Sequence, residues 1–159
     1  MSKFNQARQV RRGFTLVEIL IVVIILGILA AIVIPQFTNA STSARVASLQ
    51  GQLQTLRSQI QLFKLQHNDV LPDLVTNQWS QMMTTTNVTG AVDVTAAGKY
   101  GPYLESVPAN PLNSFNTVAA AAAANVGWVY TNTGANAGII TATNQTSTVA
   151  FNESTAAVQ

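Results

Sequence analysis

Residues 19–34, ILIVVIILGILAAIVI, contain no polar side chain, and with Phe14, Leu16 and Val17 before them and Phe37 after them the block runs 24 residues. As a helix that block is about 36 Å long, enough to cross a hydrocarbon layer roughly 30 Å thick. So many β-branched residues would favour a strand in water. In lipid a single isolated segment must satisfy its own backbone, so 14–37 is expected to be a transmembrane helix. Pro35 cannot donate to the Ala31 carbonyl and crowds that turn, and Gly27 is a second weak point, so both are expected to kink or loosen the helix.

After residue 37 the pattern becomes amphipathic. Val46, Leu49, Leu53, Leu56, Ile60 and Phe63 recur at alternating spacings of three and four, which places them on one helical stripe. Gln50, Gln52, Gln54, Arg57, Ser58, Gln59, Gln61 and Lys64 occupy the other faces. A stem helix over 38–68 is expected, continuous with the apolar span, because the next proline is Pro72. A coiled-coil seam would cover only about two heptads and is the weaker reading. His67, the sole histidine, falls at the end of the stripe with no second His or Cys beside it. It is expected to be a helix-terminal or partly buried residue, not a ligand.

The remainder, 69–159, is expected to be a head domain. Trp79 to Met83 reads as a short helix and 84–99 as loop. Segments 126–131, 138–143 and 147–151 read as three strands, with Asn132 to Ala137 as a hairpin loop. Ala119 to Ala124 fits either a helical turn or a surface insertion. The expected class is α+β: a long N-terminal helix packed on a small antiparallel sheet of about three strands.

Composition supports an assembly or membrane role: 48% of residues are hydrophobic and only 9% charged. The net charge of +2 is split along the chain. Lys3, Arg8, Arg11 and Arg12 fall within 1–13 without an acid, whereas 14–159 carry four cations against six acids. The basic character is thus a terminal tag, and no nucleic-acid partner is expected. Cations before an apolar span hold that end in the cytoplasm, which puts the head across the inner membrane in the periplasm. With no cysteine there is neither a disulfide framework nor a thiol nucleophile.

Glu18 narrows the choice. A secretory signal cleaved near Asn39 to Ala44, a twin-arginine signal at Arg11-Arg12, or a plain anchor would each leave this carboxylate uncompensated in the apolar block. Such a group costs about 2.5–3.5 kcal/mol on insertion scales. A cut before Phe14 would create an α-amine about one helical turn away.

The run Arg11-Arg12-Gly13-Phe14-Thr15-Leu16-Val17-Glu18 closely resembles the class III signal of type IV pilins and type II secretion pseudopilins. The resemblance implies a leader over 1–13, cleavage between Gly13 and Phe14 by a prepilin peptidase, and N-methylation of Phe14. It further implies that Glu18 pairs with the Phe14 amine of a neighbouring subunit, and that the helix between Gly27 and Pro35 loses regular hydrogen bonding in a filament. Residues 39–44 would then pack against neighbouring subunits. Tyr100-Gly-Pro-Tyr-Leu104, with Val107-Pro-Ala-Asn-Pro-Leu112, resembles the linker of major, G-type pseudopilins.

The chain is therefore expected to be a structural subunit, most like a type II secretion pseudopilin. Its partners would be other copies of itself, the prepilin peptidase, the inner-membrane assembly platform and minor pseudopilins. A type IV pilus subunit is the alternative of the same kind; a membrane-anchored periplasmic binding domain is the alternative of another kind. No catalytic set is legible: there are no paired carboxylates at helical spacing, no phosphate-cradling loop and no Ser/His/Asp set. Calcium is the ion the resemblance would bring. Only Glu153 follows Glu105 as an acid, which leaves little charge for it, so no cofactor or metal is expected.

Overall fold

The computed structural model describes residues 13–95, 98–144, 146 and 149–151, with the backbone alone at Pro35. The leader cations Lys3, Arg8, Arg11 and Arg12, and also Glu153, lie outside the described residues. Elements follow in the order α1 (Leu16–Gln66), α2 (Leu74–Asn77), α3 (Ser80–Met83), β1 (Val118–Ala119), β2 (Trp128–Thr131) and β3 (Ile139–Ala142). The chain divides into two compact units, Met1–Ala40 and Ser41–Gln159.

In the first unit the described chain is the start of α1, and its apolar side chains are exposed all round, from Val33 at 42% to Leu16 at 81%. A helix that is apolar on every face has no intrinsic water-facing side, which is the pattern of a segment meant for lipid or for other helices. The helix assignment passes without interruption through Gly27 and Pro35.

In the second unit the amphipathic stripe is the spine of the core. Leu49, Leu53, Leu56, Ile60 and Phe63 are at most 2% exposed, and Val46 packs at their margin. Each such side chain contributes about 1.5–3 kcal/mol on burial. The stripe shares one cluster with Leu74, Trp79 and Met82 from the short helices and with Trp128, Tyr130, Ile140 and Ala142 from the sheet. These four strand residues alternate with half-buried or exposed ones, the period-two pattern of a sheet with one covered face.

Helix α1 stops at Gln66 where Asn68 and Asp69 take positive φ, and the Asp69 N–H returns to the Lys64 carbonyl at 3.0 Å. Positive φ ends a right-handed helix and suits Asn and Asp better than most residues. His67 closes the turn. Its Nδ1 lies 2.7 Å from the Phe63 carbonyl, its Nε2 lies 2.9 Å from the Thr86 hydroxyl, and its ring stacks on Phe63. It is fully buried rather than partly so, and it ties the stem to the loop after α3.

The sheet corrects one expectation. It is mixed, not antiparallel: β2 and β3 form the expected hairpin, but β1 lies parallel to β2, with Val118 opposite Trp128. The third strand therefore comes from before the hairpin. Of the expected strand 147–151, the described part makes only a bridge between Ala150 and Thr143. The alanine run expected as a helical turn or an insertion opens with the second residue of β1, then bends. Parallel neighbours usually need a dozen or more linking residues. Here only 120–127 connect them, which is feasible because the pairing is two residues long and the link is mostly alanine. Gly127 completes the turn: a Cβ there would lie 2.1 Å from the Phe115 carbonyl oxygen.

The proline-rich linker is held from both sides. Tyr103 and Leu104 donate their N–H groups to the Met82 carbonyl, at 2.8 and 2.9 Å, and Trp128 Nε1 donates to the Pro108 carbonyl at 2.9 Å. Asn110, fully buried, donates from Nδ2 to the carbonyls of Gly127 and Thr143, each at 2.9 Å, and accepts the Leu112 N–H at 2.9 Å. One side chain thus pins the linker to the start of β2 and the end of β3.

Candidate functional site: the Gly13–Phe14 junction and the apolar helix

Gly13, Phe14 and Thr15 precede the first helical residue, Leu16, and are all exposed. Among the described residues, a Cβ built on Gly13 meets nothing within 4 Å, so the glycine side of the peptide bond to Phe14 is uncrowded. Thr15 sets where the helix begins. Its hydroxyl accepts the Glu18 N–H at 3.2 Å, and its carbonyl accepts the Ile19 N–H at 3.3 Å. A side-chain oxygen satisfying the third helical N–H is an N-cap, and Thr-x-x-Glu is the sequence form of a capping box. The family pattern was legible in these residues, while the cap they form was not read from them; the spacing of Thr15 and Glu18 is the signal that would have found it.

Glu18 accordingly lies in the first turn of α1, where the aligned peptide dipoles favour a negative charge. It is exposed, and among the described residues no cationic side chain pairs with it. The flanking Val17 and Ile19 are 60% and 51% exposed, so the carboxylate is set into an apolar surface. Cutting the chain before Phe14 would place a new positive charge within the same turn or the next. Beyond it, α1 is long and apolar enough to cross a membrane, by length and composition.

The sequence of this segment matches a known signature. Residues 8–34 fit the family model described as the prokaryotic N-terminal methylation motif. The match is confined to the N-terminal segment, which is similar to that of pilins and pseudopilins. The chain is 41% identical over 58 residues to type II secretion system core protein G of Pseudomonas aeruginosa, which covers 36% of this chain and 41% of that protein. It is 33% identical over 67 residues to the core protein G of Pectobacterium carotovorum, covering 42% and 43%. The type IV major fimbrial protein FimA of Dichelobacter nodosus is 51% identical over 51 residues, covering 30% and 33%. The chain thus aligns with a third to two-fifths of the length of these relatives, and none of their names denotes an enzyme. No solved structure matches.

Outside the N-terminal segment no comparable constellation is found among the described residues of the head. Among the described residues no three His, Cys, Asp or Glu side chains gather to hold a metal. A groove of about 490 Å³ between Gly51, Gln52 and Thr55 of the stem and Tyr103 to Pro108 contains Glu105 as its lone titratable carboxylate. Asp93 is held below the usual carboxylate range by the hydroxyl and the N–H of Thr95, which makes an exposed turn and not a catalytic acid. Tyr130 is buried, its hydroxyl has no hydrogen-bond partner among the described residues, and burial, then the charge of Asp73, push it up to about 12.

Proposed function

We propose that this chain is the precursor of a filament subunit: a prepilin peptidase cuts between Gly13 and Phe14 and N-methylates Phe14, and the exposed apolar helix packs with those of other copies. The observation that carries this reading is the arrangement at the start of α1. A Gly–Phe bond uncrowded on its glycine side, a Thr15 cap and Glu18 in the first turn precede a helix with apolar side chains on every face. Glu18 pairs with the Phe14 amine of a neighbouring copy, so that neither charge is left alone in an apolar bundle. Before assembly the helix anchors the subunit in the inner membrane, with the leader cytoplasmic and the head periplasmic. Gly27 and Pro35 mark the stretch of α1 that yields when subunits pack. An assembly platform and minor pseudopilins are the further partners.

The filament is a type II secretion pseudopilus. The Tyr100–Leu112 linker, anchored on Met82 and through Asn110 on the sheet, and the core protein G relatives support that choice. The identity to FimA favours the second reading, a type IV pilus subunit. Secretion ATPase and secretin genes beside this one would select the first.

The decisive experiment is the intact mass of the membrane-extracted protein. The expected mass is that of residues 14–159 plus one methyl group. A mature chain beginning elsewhere than Phe14 would refute the junction. A Gly13→Leu variant, which has room for its side chain in the subunit itself, should keep residues 1–13.

A further inference from the structure

A side chain from outside the sheet caps each edge strand of the head sheet. On β1 the Thr117 carbonyl faces β2 and accepts the N–H groups of Gly127 and Trp128, which turns the N–H and carbonyl of Val118 outward. One amide meets both. Gln78 Oε1 accepts the Val118 N–H at 2.8 Å, and Gln78 Nε2 donates to the Val118 carbonyl at 2.9 Å, as a residue of a neighbouring strand would. Gln78 does so from a backbone at φ 51° and ψ −132°, a conformation that L side chains rarely adopt. Residues kept in such a conformation are over-determined by their surroundings, and here a third bond, from Nε2 to the Val75 carbonyl at 3.1 Å, completes the hold.

On β3 the Thr143 N–H bonds to Gly127 beside β2, so the two-residue period sends the carbonyls of Ile140 and Ala142 outward. Ala142 accepts the Phe151 N–H at 2.7 Å, and Ile140 accepts Arg57 Nη2 at 3.1 Å. The stem thus reaches across to cap the edge of its own sheet.

We propose that Gln78 and Arg57 are edge plugs, occupying the hydrogen-bonding positions that a strand from a second copy of this chain would otherwise take. The need is written in the sequence. Sheet edges are commonly guarded by charged residues or proline on the strands themselves. Segments 117–119 (TVA) and 138–143 (GIITAT), which hold the edge strands β1 and β3, have neither, and the high β-propensity of 138–143 without charge is the signature of strands that pair between chains. With the strands unguarded, the guard is supplied from α1 and from the residue after α2.

The test uses the full chain in detergent micelles, so it stands whether or not the chain builds filaments. Gln78→Gly removes one plug while suiting the positive φ, and Arg57→Ala removes the other. Sedimentation mass and the infrared band of intermolecular β-pairing are followed over a concentration series, where near-ultraviolet dichroism shows the head folded. Each variant is expected to associate at about tenfold lower concentration than the wild type, with the β band appearing, since freed hydrogen-bonding groups favour pairing by roughly that factor. Arg57→Gln, which keeps a donor, should stay close to the wild type. Leu112→Ala loosens the core with both plugs in place and should not associate at equal folded fraction. Wild-type mass for Gln78→Gly and Arg57→Ala, or equal association of Leu112→Ala, would overturn the proposal.

Discussion

The hydroxyl of Thr15 accepts the N–H of Glu18 at 3.2 Å, so the residue that starts α1 and the acid set in its apolar surface belong to one capped turn. Thr15→Val keeps the shape and removes the acceptor. It should cost about 1 kcal/mol locally, seen as faster amide exchange over 16–19 in micelles, and Thr15→Ser should restore protection.

Glu18→Ala leaves that cap in place, because the bond uses the Glu18 backbone. The variant should insert in the membrane and be cleaved, yet fail to assemble. Normal filaments from it would rule out the pairing of Glu18 with a neighbour's amine. An uncleaved protein would instead make Glu18 part of what the peptidase reads.

Asn110 ties the linker to both ends of the hairpin, beside the bond from Trp128 Nε1 to the Pro108 carbonyl. Asn110→Ala strands the Thr143 carbonyl and the N–H of Leu112 in a buried place, while the Gly127 carbonyl keeps the Thr143 N–H and hydroxyl. A cost of about 2–4 kcal/mol in urea unfolding is expected, at the scale of leaving buried polar groups unmade. Insertion and cleavage should be unaffected.

Tyr130 predicts a loss of stability in alkali. Its hydroxyl titrates at about 12 in the folded chain against 10.0 for an ordinary tyrosine, because burial first, and Asp73 second, disfavour the phenolate. Below pH 10 both states hold the proton and the full contribution is present. Between 10 and 12 the unfolded chain loses it while the folded one keeps it, so stability falls by on the order of 2–3 kcal/mol. Tyr130→Phe should flatten that limb and leave neutral-pH stability unchanged or slightly higher, since the hydroxyl has no partner among the described residues. An unchanged alkaline limb in this variant would count against the assignment.

The sequence by itself determined what a one-dimensional pattern can carry. The Arg12-Gly13-Phe14-Thr15 junction and the apolar run are local, and the 3.6-residue period of Val46 to Phe63 names its own buried stripe, so the end of the stem that meets the head was legible residue by residue. The hairpin of Trp128 to Ala142 was legible too, because alternation and a turn suffice to describe neighbouring strands. The partner of β2 on its other side was not. Val118 and Ala119 are two residues within a small-residue run, too short for any period, and they pair only because Gly127 lets the chain pass the Phe115 carbonyl and Gln78 satisfies their outer edge. His67 read as a marginal helix-end residue because its partner Thr86 is 19 residues away. Asn110 was one asparagine in an asparagine-rich head until folding set Gly127 and Thr143 around its amide. Periodicity reports which face of an element is covered; only the tertiary structure decides which distant polar group completes a buried hydrogen bond.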